Sequence, residues 1–211
     1  GCVGSRPASE SVPTRSAPEP IRRTSALPSG MERFQNTGQP DWDWWGRLWP
    51  TPADTLRRLG LERGDRTVEI GCGNGYFALP AAQIVDPAPV YAVDLDETLL
   101  DELAALAADQ EVDTVVPIRG DARELASHLP EPVDVAVLAN AFHGIDDRDA
   151  FLAAVGDALA PDGRFVVVNW RTLPRAETTV AEEPRGPPTD LRIGPTETRR
   201  AVESATDLRF A

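Results

Sequence analysis

Short apolar runs alternate with helical patterns through the middle of the chain. Five runs have the length and composition of buried strands, at 67–70, 89–93, 114–118, 133–138 and 164–169. Helical patterns separate them at about 75–85, 96–109, 122–128 and 147–159. Strands that alternate with helices form a mainly parallel sheet, and right-handed crossovers place helices on both of its faces. The pattern therefore predicts a doubly wound α/β fold.

The stretch before the first strand is rich in tryptophan. Four of the five tryptophans fall within residues 41–49, ahead of a helix predicted at 53–59. Adjacent and alternating tryptophans cannot all face inward from one helix, so we expect at least one to be exposed or to touch a ligand. We interpret residues 31–60 as a Trp-rich N-terminal cap that packs on a core at 61–170 and covers its site.

The region after the fifth strand has a weaker pattern. Residues 171–194 are rich in proline and charge, which predicts a long loop with a functional role. A helix is predicted at 195–204, and Leu208 begins what we interpret as a further strand. We assign 171–211 to a substrate-side loop and helix.

The first thirty residues have the composition of a disordered segment. They hold five prolines, six serines and four arginines, and few large apolar side chains. Met31 is the only methionine and stands where this composition ends. We predict that residues 1–30 are a disordered N-terminal extension and that residues 31–211 form the folded domain.

Composition narrows the classes of partner. The 211 residues carry a formal net charge of −13, and all 21 basic residues are arginines, so binding to nucleic-acid phosphates is disfavoured. Two cysteines and two histidines predict no metal site. No apolar stretch approaches the roughly 20 residues of a membrane span, and no signal-peptide core is evident. We expect a cytoplasmic protein with a small-molecule substrate, and its oligomeric state stays open.

A glycine-rich turn follows the first predicted strand. Gly71, Gly73 and Gly75 stand at alternate positions before a helical run, and Asp94 ends the next strand. Glycines at such a turn let a ligand touch bare backbone beside a helix N-terminus. An acidic residue at the end of the second strand is placed to accept hydrogen bonds from a ribose. The spacing predicts a nucleoside-binding site.

Two residues help to identify the nucleoside. A dinucleotide-binding turn has a third glycine where this chain has Tyr76, and it receives a pyrophosphate. Glu69, two residues before the first glycine, suits a cationic group better than a pyrophosphate. An NAD(P)-dependent oxidoreductase is thereby disfavoured but stays an alternative.

The chain resembles the class I S-adenosylmethionine (SAM)-dependent methyltransferase family over about residues 51–170. The resemblance rests on an ordered set of motifs: Val68 to Gly75, Asp94, Gly120-Asp121-Ala122, Asp134 to Asn140, and Ala160 to Val167. It implies a Rossmann-like methyltransferase fold, SAM as the cofactor, and methyl transfer as the reaction. Members of the family usually close the sheet with an antiparallel pair of strands, so we expect the C-terminal strands to be truncated here.

The resemblance also implies roles for individual residues. The glycine loop, including Cys72, would pass under the methionine part of SAM, with Glu69 facing its ammonium group. Asp94 would hold the ribose hydroxyls, and Leu95 would flank the adenine. The remaining contacts would come from Asp121 to the adenine amino group and from the Ala122 backbone N–H to a ring nitrogen. Asn140 follows the fourth strand and could reach the methionine end or the substrate, or it could be a turn residue.

Methyl transfer to an acceptor is an in-line displacement that requires no acid/base pair. His143 is the only histidine expected near the methyl group, and an unperturbed pKa near 6.5 would suit a catalytic base. It could equally shape the pocket as a loop residue. A binding module with this fold but without turnover is a third interpretation of the chain.

Overall fold

The computed structural model describes residues 42–180 and 182–209. Its helices are α1 Trp42–Leu48, α2 Pro52–Arg58, α3 Ala78–Val85, α4 Glu97–Asp109, α5 Leu125–His128, α6 Arg148–Ala158 and α7 Pro195–Ala205. Its strands are β1 Thr67–Ile70, β2 Val90–Asp94, β3 Val115–Arg119, β4 Val133–Ala139, β5 Leu159–Val168, β6 Thr179–Val180 and β7 Glu183–Pro184. None of the helices in these two ranges is long and apolar enough to cross a membrane.

Strands β1 to β5 form one parallel sheet in the order β3-β2-β1-β4-β5. The strand order reverses between β1 and β4, and a crevice opens at the carboxyl ends of strands at such a point. The predicted doubly wound α/β fold is confirmed. The predicted strand starts and ends agree within one residue except at β5.

Alternation along β1 explains the two-sided core. Val68 and Ile70 are buried with the residues of α6 on one face of the sheet. Glu69, between them, pairs in register with Ala92 and Val137, which belong to the hydrophobic cluster around α3 on the other face. The central strand therefore buries all four of its residues, and one of them is a carboxylic acid.

Strand β5 begins earlier than predicted. The structure places Leu159 opposite Val133 and Arg164 opposite Val135, so the intervening residues form an irregularity in the ladder. The sequence pattern assigned this stretch to a turn because proline and glycine disfavour a regular strand interior.

The segment after β5 is more ordered than a plain loop. It contains two 3-10 turns and a short antiparallel hairpin of β6 and β7. The buried Arg192 guanidinium holds it together by donating to four carbonyl groups, those of Arg171, Leu173, Arg185 and Pro187. A loop that folds around one arginine has no periodic pattern, so the sequence did not reveal it.

Several predictions concern residues that the structure leaves undescribed. The extension at 1–30 and the first part of the cap, up to residue 41, lie outside the described residues, as does Phe210. Leu208 and Arg209 are described, and they are not in a strand. The domain boundaries stay predictions.

Gly75 is required by packing as well as by backbone conformation. Its φ is +90°, and a Cβ added there would overlap the Cδ1 of Leu103, a fully buried residue of α4. We expect Gly75→Ala to lower the free energy of unfolding by about 1–3 kcal/mol more than Gly64→Ala, because only the first substitution overpacks the core. Gly64 is a matched control, with a φ of +92° and no atom within 4 Å of the added Cβ.

Urea unfolding of the two variants beside the parent protein checks this expectation. Equal losses of stability would mean that the left-handed backbone alone requires glycine at position 75.

Candidate cofactor site

The glycine loop turns the chain back over the end of the sheet. Gly71 and Gly73 have φ values of +68° and +54°, a region that L-residues with side chains rarely adopt. The backbone N–H groups of Gly71 and Cys72 both donate to the Val93 carbonyl, at 2.8 and 3.2 Å. The loop is thereby fixed to the carboxyl end of β2 and presents bare backbone to the crevice.

Asp94 joins this loop to the start of α4. Its carboxylate accepts from the Gly73 backbone N–H at 2.8 Å and from the Asp96 backbone N–H at 3.0 Å. Burial raises the pKa of Asp94, and these backbone hydrogen bonds oppose that rise. A carboxylate has about four acceptor positions, so two protein donors leave capacity for the hydroxyl groups of a ligand.

Glu69 is a buried carboxyl group with an unused oxygen. It is only 4% exposed, and its Oε2 has no hydrogen-bond partner among the described residues. Burial raises its pKa well above the usual value, the nearby Asp94 charge adds to this effect, and the Ala78 backbone N–H opposes it. A buried carboxyl group without a partner costs free energy unless a ligand supplies a donor or a cation.

A small cavity of ≈ 30 Å³ lies directly against Glu69. Its other lining residues come from the loop, the cap and the end of β4: Trp45, Gly71, Cys72, Tyr76, Phe77, Ala139 and Asn140. Asn140 has a left-handed φ of +57°, and its buried side-chain nitrogen has no partner within the described ranges. The cavity is thus lined by two residues with unsatisfied polar atoms, one in β1 and one directly after the neighbouring strand β4.

The tryptophans of α1 cover the glycine loop. The Trp42 indole N–H donates to the Asn74 side chain at 3.1 Å, and the Tyr76 hydroxyl donates to the Trp49 carbonyl at 2.7 Å. Trp45 stacks on Tyr76 with ring centroids 6.0 Å apart. Tyr76, which stands where a dinucleotide-binding turn has its third glycine, therefore attaches the cap to the loop. All four tryptophans of the stretch are half-buried and none is exposed, so the contact of one of them with a ligand stays a prediction.

The predicted adenine contacts lie at the ends of β2 and β3. Leu95 is 39% exposed, and the Gly120 backbone N–H donates to the Asp94 carbonyl at 3.0 Å, which brings the two strand ends together. Asp121 accepts from the Arg123 backbone N–H at the start of a 3-10 turn that contains Ala122. The Arg123 guanidinium also pairs with this carboxylate and lowers its pKa. Asp121 is therefore a cap residue whose carboxylate a ligand would share with Arg123.

His143 lies in a different environment from the one assumed above. It is 5% exposed, and burial lowers its pKa to about 4; hydrogen bonding with the Asn169 side chain opposes this effect, and the charges of Arg192 and Arg148 add to it. The unperturbed value near 6.5 does not apply, so the imidazole is neutral at neutral pH and a weak base. Its Nδ1 has no partner in the described part of the chain.

Asn169 is a residue that the sequence analysis passed over. It directly follows β5, as Asn140 follows β4, and lies beside His143. Its amide is buried and raises the pKa of His143 by hydrogen bonding, yet neither of its polar atoms has a described partner in good hydrogen-bond geometry. Its position at a strand end was the available signal, and it was missed because the fifth strand was thought to include it.

Comparisons with known proteins agree with this geometry. Residues 68–165 match the model of a family described as a methyltransferase domain. A tRNA (guanine(6)-N2)-methyltransferase of Thermus thermophilus is 40% identical over 102 residues, 47% of this chain and 30% of that protein. A trans-aconitate 2-methyltransferase of Mycobacterium tuberculosis is 32% identical over 116 residues, 54% of this chain and 40% of that protein. The chain therefore spans less than half the length of either relative.

A solved structure shows the same fold. A SAM-dependent methyltransferase from Aquifex aeolicus superposes with a TM-score of 0.65 and 20% identity, over 85% of this chain and 88% of that one.

Proposed function

We propose that the chain is a class I SAM-dependent methyltransferase that transfers the methyl group of SAM to a small-molecule acceptor. The family-model match over residues 68–165 and the shared fold support the family and the cofactor that the motifs predicted. The observation that carries the proposal is the buried Glu69 carboxyl group beside the glycine loop, whose Oε2 has no partner among the described residues. SAM has an ammonium group and a sulfonium centre, so it would supply the positive charge that compensates the ionised Glu69 carboxylate.

Each part of the cofactor has a counterpart among the residues. We propose that Glu69 faces the ammonium group and that Asn140 contacts the methionine end of the same cavity. The glycine loop, Gly71 to Gly75 with Cys72, would lie under the methionine chain, where side chains would collide with it. Asp94 would accept from the ribose hydroxyls, while Leu95, Asp121 and Ala122 would contact the adenine.

The residues around the site would promote methyl transfer mainly by positioning SAM and the acceptor and by excluding water. SAM supplies an activated methyl group, so the protein has to bind, orient and cover the two reactants. The tryptophans of α1 lie over the glycine loop and shield it from solvent. His143 would shape the pocket more readily than it would remove a proton, because its lowered pKa makes it a weak base.

A small-molecule acceptor is favoured by charge. A net charge of −13 opposes binding to a polyanion. The two relatives named above act on a tRNA and on a small organic acid, so homology alone does not choose between these classes. We propose a small-molecule acceptor because a tRNA acceptor would require a strongly acidic protein to bind a phosphate backbone.

Calorimetric titration tests the cofactor assignment. We expect SAM and S-adenosylhomocysteine to bind and NADH to leave the heat signal at the dilution baseline. Incubation with [methyl-³H]SAM and either a small-molecule extract or total tRNA then separates the acceptor classes. Label on tRNA alone would contradict the small-molecule proposal, and binding without any transfer would indicate a module without turnover.

A further inference from the structure

Unpaired polar groups collect at the ends of β4 and β5. The His143 Nδ1 and both polar atoms of the Asn169 amide are buried without a described partner in good hydrogen-bond geometry, although the Asn169 side chain lies close enough to His143 to raise its pKa by hydrogen bonding. His143 is 95% buried, since only 5% of its surface is exposed. Buried polar groups are nearly always satisfied in native proteins, and one contact between Asn169 and His143 cannot satisfy both atoms of the amide, so a further polar ligand is indicated.

Arginines dominate the electrostatic field at this place. The charged side chains that act on the pKa of His143 are those of Arg192 and Arg148, and both lower it. Arg192 is buried and donates only to neutral carbonyl groups, so its charge is not neutralised. Arg148 lies over the Phe142 ring at 5.7 Å, and its Nε is buried without a partner in the described ranges.

The two halves of the crevice therefore carry opposite charge. The β1–β2 half carries the carboxyl groups of Glu69 and Asp94, whose pKa values burial raises and whose ionised forms suit a cationic cofactor. Arg148 and Arg192 make the β4–β5 half positive. In a protein with a net charge of −13, a positive half-site next to unpaired hydrogen-bonding groups indicates an anion.

We propose that the acceptor is a small carboxylic acid, held at the ends of β4 and β5 by Asn169 and Arg148 and methylated on a carboxylate oxygen. This proposal rests on the methyl-transfer function proposed above. Asn169 would donate from its amide, and Arg148 would donate from its unpartnered Nε. Arg192 would act through its charge, because its donors are already used by the loop.

The chemistry balances without a base. A carboxylate oxygen forms the new bond to the methyl carbon, the carbon–sulfur bond breaks, and the sulfur keeps the electron pair. The products are a methyl ester and S-adenosylhomocysteine. A carboxylate is ionised at neutral pH, so no proton has to be removed, which agrees with the weak basicity of His143.

A labelling experiment on the full chain tests the class of acceptor. The protein is incubated with [methyl-³H]SAM and either fumarate, citrate, glutarate or benzoate, or the corresponding carboxamides. Methyl esters release volatile [³H]methanol in alkali, whereas N-, C- and S-methyl products keep their label. We expect alkali-labile label with at least one acid and none with the amides. Equal labelling of the amides, or no labelling of any acid by protein that binds SAM, would overturn the proposal.

Two substitutions at position 169 test the site. We expect Asn169→Ala to raise KM for the acid by about tenfold, the value of one lost charge-assisted hydrogen bond. Asn169→Asp should raise it further, because the new carboxylate competes with the acceptor for the arginines. The affinity for S-adenosylhomocysteine should change less than twofold in both variants. Equal effects of the two substitutions on KM would overturn the role of Asn169.

Arg148→Gln and Arg58→Gln form a matched pair. Arg58 is an exposed arginine of α2, so its loss changes the net charge equally without touching the site. We expect KM for the acid to rise about tenfold or more in Arg148→Gln only. A parallel loss of S-adenosylhomocysteine affinity would show that Arg148 serves the carboxylate of the cofactor, and would overturn the proposal. Failure of the parent protein to bind SAM would instead overturn the proposed function.

Discussion

Asp94→Ala is expected to weaken SAM binding by about tenfold or more. Loss of one charge-assisted hydrogen bond from a ribose diol costs about 1.5–3 kcal/mol. Asp94 also accepts from the Gly73 backbone N–H at 2.8 Å, so its removal frees the glycine loop that would lie under the methionine chain. Calorimetric titration with SAM measures the loss, and Asp101→Ala, at an exposed carboxylate of α4, controls for the change in net charge.

A ribose analogue separates the two contributions of Asp94. S-adenosylhomocysteine without both ribose hydroxyls should bind the parent protein weakly and lose little further affinity in Asp94→Ala. A full additional loss with this analogue would mean that Asp94 acts only by holding the loop and the start of α4, and that it does not contact the ribose.

The sheet and the cofactor half of the site could be predicted because their signals are local. Val68 and Ile70 alternate with buried partners in a short strand, and the glycines that follow need a left-handed backbone. Asp94 comes at the end of the next strand, and carboxyl ends of parallel strands meet at one edge of a sheet. The positions of Glu69, the glycine loop and Asp94 in the sequence were therefore enough to predict that they lie close together.

Other features depend on contacts between residues far apart in sequence. Gly75 was interpreted as part of the ligand loop, and the structure adds that Leu103 of α4 leaves no room for a Cβ there. The low pKa of His143 arises from burial and from Arg192, almost fifty residues later in the chain. A single sequence has no periodic pattern that reveals whether a loop residue is buried. The prediction for His143 therefore had to assume the unperturbed pKa of histidine.

The acceptor half was harder to predict for the same reason. Asn169 becomes informative only once the structure shows that its amide is buried and unpaired beside His143. Arg192 looked like one more charge in a charged loop, yet the loop folds around it and leaves its charge without a carboxylate partner. These features follow from the tertiary fold and not from spacing.

Glu69→Gln is expected to stabilise the ligand-free protein at neutral pH and to weaken SAM binding by about tenfold or more. The folded-state pKa of Glu69 lies well above its unfolded value, chiefly because of burial. Between these two values the folded state binds more protons than the unfolded state, so stability falls as pH rises. Glutamine fits the same space and does not titrate, so its variant should lack this fall. The binding loss follows because glutamine cannot offer a charge to the ammonium group.

The same linkage predicts a proton released on binding. Below its raised pKa, Glu69 is protonated in the ligand-free protein and would be ionised opposite the ammonium group of SAM, so SAM affinity should rise with pH until that pKa is reached. Titrations in phosphate and in Tris at equal pH measure the proton released, which should decrease as pH rises in the parent protein and be absent in Glu69→Gln. Glu62→Gln, at an exposed residue, should behave as the parent protein does. If Glu69→Gln still releases the proton, and if its stability still falls with pH as in the parent protein, then another group titrates. That result would contradict the proposed contact between Glu69 and the ammonium group.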